Sequence, residues 1–252
     1  MQGGTYGGRV RSVMVALVLA GVAMFGGPAA RSGEGYQLLR LDNHLVKWGK
    51  AELGAGATVR YALATGPMQY SGAQNCGAIG ATDQVIAAAR ITPAEFAKEV
   101  VAAFAMWQQA ANVTFEPVAD PATANIVIGA LGMPRGSAFA DVFYDRSLDG
   151  SVRSIQKALV CLNPEHRWKV GFGGDAEVYD LRYALAHEIG HAIGLDHPGP
   201  SGAIMAFAYA EKFRTLQVGD VSGVIALYGA RSPEIAAPGA PPVVSVSAKA
   251  MR

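Results

Sequence analysis

A single domain of the α+β class, with an α/β-type mixture of strands and helices, is predicted between about residues 36 and 230. Short strand patterns and amphipathic helix patterns succeed one another along this stretch without internal repeats. The chain of 252 residues is 51% hydrophobic, which is enough apolar material for one complete core. We therefore expect one folded domain flanked by two terminal segments.

The domain opens with one strand and a long loop. In ATVRYAL (57–63), Val59, Tyr61 and Leu63 alternate with smaller or polar residues, as in a half-buried strand. Residues 66–90 are rich in turn-forming residues, so we expect a long loop there.

A helix is expected to begin after Thr92. Pro93 suits the first helical position, and Glu95 lies three residues after Thr92, which is the spacing of a capping box. Apolar residues then recur at helical spacing and should face the core. They are Phe96, Val100, Phe104, Trp107 and Ala111.

Three strand candidates and two helices complete the predicted domain. The strand candidates are VTFEPV (113–118), ANIVIGA (124–130) and ALVCL (158–162). A second helix is expected over 180–194, with Asp180 as its cap, and a third over 218–228, ending before Gly229.

The overall charge argues against two classes of partner. Charged residues make up 16% of the chain and the formal net charge is +1. Such a balance creates no field that would gather nucleic acid or hold the protein on an anionic membrane. We expect neither nucleic acid binding nor stable membrane association.

The first thirty residues are typical of a secretory signal peptide. Arg9 and Arg11 precede an apolar run at 13–25, and small residues follow up to Ala30. An uncleaved anchor is the alternative, but the run is shorter than the roughly twenty residues that span a bilayer. We expect a secreted monomer, extracellular or periplasmic, with a domain over 31–231 and a disordered Ala/Pro tail over 232–252.

The two cysteines, Cys76 and Cys161, are the next candidates. Disulfides persist outside the cytosol, so a bridge is the simple interpretation for an exported chain. Because the bridge would close a long loop, it would add about 4 kcal/mol to the free energy of unfolding in the chain-entropy description. Two buried thiols, or one thiolate acting on a metal, are the alternatives.

HEIGHAIGLDH (187–197) holds three of the five histidines. On a helix, His187 and His191 project from one face within reach of a single ion. A straight helix would carry His197 too far along its axis, and Gly194 allows the turn that brings it back. Three imidazoles with one open position suit a catalytic zinc ion.

Glu188 points about 100° around the helix from His187. It therefore stays off the metal but near a water that the metal activates, where a carboxylate can move protons during attack on a carbonyl. Histidines that only cap or pack are the alternative for HExxH alone. The added glycine and histidine at fixed offsets argue strongly against that alternative.

The pattern HExxHxxGxxH, followed by SGAIMAFAY (201–209), resembles the zinc signature and Met-turn of the metzincins. YDLRYALAHEIGHAIGLDH (179–197) and DVSGVIALYG (220–229) resemble the active-site and closing helices of the matrixins, the matrix-metalloprotease-like branch. AFAMWQQAANVTFEPV (103–118) is similar to the first matrixin helix and the strand after it. The resemblance, to a bacterial type of matrixin, covers about 90–229.

This resemblance implies a metzincin catalytic domain with a twisted, mixed five-stranded sheet and three helices. It also implies that His187, His191 and His197 bind zinc and that Glu188 is the general base. Met205 would lie beneath the ligand imidazoles.

Substrate contacts are implied as well. Phe207, Ala208 and Tyr209 match the outer wall of the primed-side specificity pocket, with packing alone as the alternative. GSAFADVF (136–143) falls where the family has an edge strand that pairs with the substrate backbone.

The chain also departs from the family. The second, structural zinc ion of animal matrixins is held by three histidines and an aspartate. Residues 132–178 contain a single histidine, His166, so this second zinc ion is not expected. Calcium could be held by acidic loop residues, although such residues are more often simply solvated. The candidates are Asp145, Asp149, Asp175 and Glu177. Cys76 shares only a Cys-Gly pair with the family's inhibitory cysteine motif, which favours the disulfide.

The expected function is that of a secreted zinc-dependent endopeptidase acting on protein or peptide substrates. A noncatalytic zinc-binding module that retains the metzincin fold is the alternative. Glu188 argues against it, since metal binding alone requires no proton shuttle. A surface adhesive protein is a third hypothesis, and only the Ala/Pro tail suggests it.

Overall fold

The computed structural model describes residues 35–132, 136–147, 149–175 and 177–232. The expected signal peptide, and the expected tail beyond residue 232, lie outside these ranges. Within them, no helix has the length and apolarity needed to cross a membrane.

Thirteen strands and four helices are found in the described ranges. The strands are β1 (Gln37–Leu38), β2 (Arg40–Leu41), β3 (His44–Lys47), β4 (Ala57–Leu63), β5 (Met68–Gln69), β6 (Ala78–Gly80), β7 (Val113–Pro117), β8 (Ile126–Leu131), β9 (Ala138–Tyr144), β10 (Val152–Leu162), β11 (Trp168–Lys169), β12 (Tyr179–Asp180) and β13 (Leu195–Asp196). The helices are α1 (Asp83–Ala89), α2 (Pro93–Ala110), α3 (Leu181–Ala192) and α4 (Val218–Tyr228).

The five longest strands form a mainly parallel sheet in the order β7-β4-β8-β10-β9. The first four run parallel, and β9 is antiparallel to β10. The short strands β2, β3, β5 and β6 extend this sheet. The predicted α+β class with a mixed sheet is confirmed.

Helices α2 and α3 build the main core. The predicted capping box at Thr92 and Glu95 is present, and the predicted apolar stripe of α2 is buried. Trp107 of α2 is completely buried, and its indole Nε1 donates to the carbonyl oxygen of Ala186 in α3 at 2.9 Å. The two helices are thus joined one residue before the first candidate metal ligand.

The loop prediction for 66–90 was wrong in part. Strands β5 and β6 form a hairpin over residues 68–80, and β6 pairs with the end of β8. Helix α1 follows, so the domain has four helices where three were expected. These elements are too short to show a clear hydrophobic period, and pairing with distant strands stabilises them.

This 68–80 hairpin covers the face of the sheet opposite to the main core. Val127 and Leu159 alternate with inward-facing residues along β8 and β10, so they point to that outer face. They form a second apolar cluster with Cys76, Ile79 and Cys161. Cys76 and Cys161 are bonded in a disulfide, and both are completely buried.

A buried ammonium group lies where β3 meets the end of α4. Lys47 has no exposed surface, and its Nζ donates to the carbonyl oxygens of Trp48 and Lys50 at 2.8 Å each. The same Nζ lies 5.0 Å from the ring centroid of Tyr228. Burial lowers the pKa of Lys47 to about 8, and the nearby carboxylate of Glu52 opposes that shift only in part.

We expect the stability of the wild type, relative to Lys47→Met, to increase as the pH rises from 8 towards 10.5. The pKa of Lys47 is about 8 in the folded protein, against a reference value of 10.5. Between these two values the unfolded chain binds more protons, so a rise in pH favours folding. Below pH 8 the difference in stability should be constant.

The measurement is the Tm of wild type and Lys47→Met at pH 7, 8, 9 and 10. Lys50→Met, which removes an exposed ammonium group nearby, is the control. A Tm difference between wild type and Lys47→Met that stays flat over this range would contradict the prediction.

Candidate metal centre and active-site cleft

Helix α3 positions the first two candidate ligands. The Asp180 carboxylate caps the helix by accepting the N–H of Tyr183 at 2.9 Å, as predicted. His187 and His191 lie one turn apart on the same side of this helix, and their Nε2 atoms are 3.2 Å apart.

The chain reverses at Gly194 and returns the third candidate ligand. Gly194 has a φ of +103°, and a Cβ atom at this position would lie 2.2 Å from the carbonyl oxygen of Val46. A residue without a side chain is therefore required here. After the turn, the Nε2 atom of His197 lies 3.1 Å from the Nε2 atoms of both His187 and His191.

Distant segments clamp this turn. The N–H of Leu39 donates to the carbonyl oxygen of Gly194 at 2.8 Å, and β1 pairs with β13 immediately before His197. The Trp48 indole donates to the carbonyl oxygen of Ala192, and the Tyr228 hydroxyl donates to that of Ile193. These bonds occupy the carbonyl oxygens that the end of α3 leaves without helical partners.

Hydrogen bonds orient the two helical imidazoles. Nδ1 of His187 donates to the carbonyl oxygen of Ile204 at 2.8 Å, and Nδ1 of His191 donates to that of Leu195 at 2.9 Å. A carbonyl oxygen only accepts, so each neutral ring carries its proton on Nδ1 and directs the Nε2 lone pair at the other rings. Burial lowers the pKa of His187 to about 4 and that of His191 to about 3.

This donor set fits a zinc ion. Two nitrogen atoms at about 2.0 to 2.1 Å from one zinc ion, at tetrahedral angles, are about 3.3 Å apart. The Nε2 atoms of the three histidines are 3.1 to 3.2 Å apart. Lone pairs directed at one another at this distance repel, and a shared cation removes the repulsion.

The predicted calcium candidates form no comparable site. The three histidines are the one group of His, Cys, Asp or Glu side chains within the described ranges whose ligand atoms suit a metal ion. Asp175 is paired with Arg167 at 2.5 Å. The ammonium group of Lys169 donates to the carbonyl oxygens of Gly173 and Asp175, so a protein cation already occupies this loop.

Glu188 lies beside the histidines in the same cleft. Its side chain is almost fully enclosed, with 8% of the residue exposed, and burial raises the pKa of Glu188 to about 8. A cation bound by the neighbouring histidines would oppose this shift, because it favours the ionised carboxylate.

Met205 packs against helix α3 at Gly190, the residue before His191. A Cβ atom at Gly190 would lie 2.1 Å from the Met205 Sδ atom, so the glycine makes room for the sulfur. The Asp220 carboxylate accepts the N–H groups of Ile204 and Met205 at 2.9 and 3.0 Å. Asp220 was not singled out from the sequence, yet it fixes the segment that also orients His187.

The cleft has a volume of about 970 Å³ and runs across the histidines. One wall contains Phe207 and Tyr209. Phe207 is 76% exposed, and its ring meets the His197 ring edge to face at 5.4 Å between centroids. The Tyr209 hydroxyl donates to Glu211 and accepts the N–H of Asp180. Ala208 is exposed and is not among the residues that line the cleft.

Strand β9 also lines the cleft. The N–H of Asn163 donates to Ser137 and that of Asp145 donates to Ser154, which sets the phase of the β9–β10 ladder. In an antiparallel pair every second residue directs its backbone groups away from the partner strand. On β9 these residues are Ala138, Ala140 and Val142, all of which line the cleft.

Comparisons with known proteins identify one family to which the chain is similar. A protein-family model described as Matrixin matches residues 84–229. The chain is 34% identical to human matrix metalloproteinase-19 over 143 residues, and 31% identical to Arabidopsis thaliana metalloendoproteinase 1-MMP over 138 residues. It is 27% identical to karilysin of Tannerella forsythia over 148 residues. These matches cover 50% to 55% of the chain but only 26% to 36% of the relatives.

Gly194→Ala should weaken zinc binding by about ten- to a hundredfold, the range seen when groups that orient metal ligands are lost. The added Cβ would meet the Val46 carbonyl oxygen in a backbone conformation that alanine disfavours, so the turn must shift and move His197. Affinity is measured by competition with a chromophoric zinc chelator.

Gly199→Ala is the matched control, because a Cβ atom there meets nothing within 4 Å. Circular dichroism would establish that both variants are folded. Equal zinc affinities for the two folded variants would show that the Gly194 turn does not control the site.

Proposed function

The chain belongs to the matrixin family of zinc metalloendopeptidases, and from this premise we propose that its 31–231 domain is a secreted endopeptidase that hydrolyses peptide bonds in proteins or peptides. One observation carries the proposal. The Nε2 atoms of three histidines converge to within 3.2 Å of one another, and Glu188 lies in the same cleft.

His187, His191 and His197 would hold the zinc ion. Zinc at such a site supplies Lewis acidity, which activates water near neutral pH and polarises the carbonyl group of the scissile bond. The carbonyl oxygens of Ile204 and Leu195 keep Nδ1 of the two helical imidazoles protonated, so that Nε2 stays available for the metal. Met205 and Gly194 support this ligand geometry.

Glu188 would act as the general base. Its neighbour His187 would bind the metal, while the carboxylate lies in the cleft, where it would take a proton from the attacking water. It would then pass that proton to the nitrogen of the leaving amine. Enclosure of Glu188 keeps bulk water away from this proton transfer.

An extended substrate would bind along β9. The free backbone groups of Ala138, Ala140 and Val142 can pair with a peptide strand, which brings a peptide bond across the metal centre. Phe207 and Tyr209 would contact substrate side chains. The side chain of Ala208 would make no substrate contact, and this residue would contribute only by setting the positions of Phe207 and Tyr209.

Export is the remaining part of the proposal. The pattern of residues 1–30 supports a cleaved signal peptide. The buried Cys76–Cys161 disulfide is typical of proteins that fold in an oxidising compartment. We therefore place the mature protein, as a monomer, in the periplasm or outside the cell.

Glu188→Gln should retain about one zinc ion per chain and lose roughly 10² to 10⁴-fold in kcat/KM, since it removes the proton acceptor without removing a ligand. The full chain is purified after export in an oxidising host compartment, its metal content is measured, and a peptide library is cleaved. Glu116→Gln, an exposed change on β7, is the control and should resemble the wild type.

Two outcomes would each contradict one part of this proposal, either the peptidase activity or the role of Glu188. A zinc-loaded wild type that cleaves no peptide in the library would favour the noncatalytic zinc-binding module. Equal kcat/KM for wild type and Glu188→Gln would remove Glu188 from the catalytic step while leaving the peptidase assignment in place.

A further inference from the structure

The 68–80 hairpin reaches from the outer face of the sheet to the cleft. Its base is fixed by β6, which pairs with the end of β8 through Ile79 and Leu131. Its tip, residues 71–75, lines the same cleft as the three histidines. The outer face of the sheet therefore contributes to a site whose metal ligands all come from the other face.

Two independent tethers hold this tip against the wall strands. The Asp141 carboxylate of β9 accepts the N–H groups of Asn75 and Cys76 at 2.8 and 2.7 Å, and only 8% of Asp141 is exposed. Hydrogen bonds from backbone amides to an enclosed carboxylate are among the stronger hydrogen bonds in proteins. The disulfide joins Cys76 to Cys161 of β10, which pairs with Phe139 of β9.

The position of the tip along β9 is equally well defined. The hydrogen-bonded tether lies at Asp141, and Gly72 approaches the Phe143 ring, to which a Cβ atom on Gly72 would come within 3.9 Å. The tip therefore follows the C-terminal half of β9, where Val142 directs its backbone groups to the free edge.

We propose that the tip of the 68–80 hairpin determines specificity by contacting substrate residues that pair with the C-terminal half of β9. A strand added to β9 would lie about 4.8 Å from it, and alternate side chains would project towards the outer face. Those side chains meet the tip. This inference rests on the proposed peptidase function, because it names a further wall of the same cleft.

The chemistry of the tip indicates which side chains it accepts. Its residues are Ser71, Gly72, Ala73, Gln74 and Asn75. Their side chains include a hydroxyl and two carboxamides and carry no charge, so the surface of the tip is polar and neutral and suits uncharged polar side chains. The small residues among them leave space for a substrate side chain.

Introducing a charge at the tip tests whether the tip contacts substrate side chains. Gln74 is exposed and lines the cleft, whereas Gln69 is exposed on β5 of the same hairpin and does not line it. We would make Gln74→Lys and Gln74→Glu, and the same two changes at Gln69 as matched controls. All four zinc-loaded proteins and the wild type are profiled with peptides that carry Glu, Gln or Lys at each position around the cleaved bond.

The expected result is a reciprocal shift at one substrate position. Gln74→Lys should raise the ratio of kcat/KM for peptides with Glu to kcat/KM for peptides with Lys at that position by about two- to fivefold. Gln74→Glu should lower this ratio by a similar factor, as expected for an exposed charge pair. The shift should fade at high salt. The Gln69 variants should match the wild type, and equal Tm values would show that folding is unchanged.

Failure of this inference can be told apart from failure of the proposed function by a binding measurement. Binding of fluorescent peptides is measured in parallel in the Glu188→Gln background. If the wild type cleaves peptides and the Gln74 pair shows no reciprocal shift, the tip is not part of the substrate surface. If the reciprocal preference appears in binding but the wild type cleaves nothing, the tip inference stands and the peptidase proposal fails.

Discussion

The reversal of the chain at Gly194 is the constraint on which the site depends. A continuous helix can direct only His187 and His191 at one point, and the third imidazole arrives because the chain turns back within three residues. The turn has a positive φ and a close contact with Val46. Gly194 is thus both a conformational requirement and a packing requirement.

The core holds together a ligand set that is unfavourable without a metal ion. Three converging lone pairs repel one another, and burial of the helical imidazoles disfavours the protonation that would relieve this repulsion. Trp48, Tyr228 and Asp220 hold the surrounding backbone in place with buried hydrogen bonds. Zinc binding would remove the repulsion between the lone pairs and so stabilise the folded state, and metal affinity and fold stability should therefore be coupled.

Strands β9 and β10 link the two faces of the molecule. Their inner side packs on the main core that contains the metal-binding helix, and their outer side contacts the 68–80 hairpin through Asp141 and the disulfide. A change in hairpin length or composition can therefore alter the rim of the cleft without disturbing the histidines. In this way the fold would separate the proposed metal chemistry from the part of substrate selection that we assign to the hairpin.

Local spacing in the sequence was sufficient for the class of fold, the capping box at Thr92 and the signature from His187 to His197. The capping box and the signature follow from the geometry of one helix or one turn, and the class of fold follows from the succession of strand and helix patterns. The tertiary structure alone decided that Asp141 anchors a hairpin, that Trp48 and Tyr228 secure the end of α3, and that 66–90 contains a helix and two strands. These features depend on partners 35 to 144 residues apart along the chain or on pairing across the sheet. No local period encodes such contacts, because they form only when the whole core is assembled.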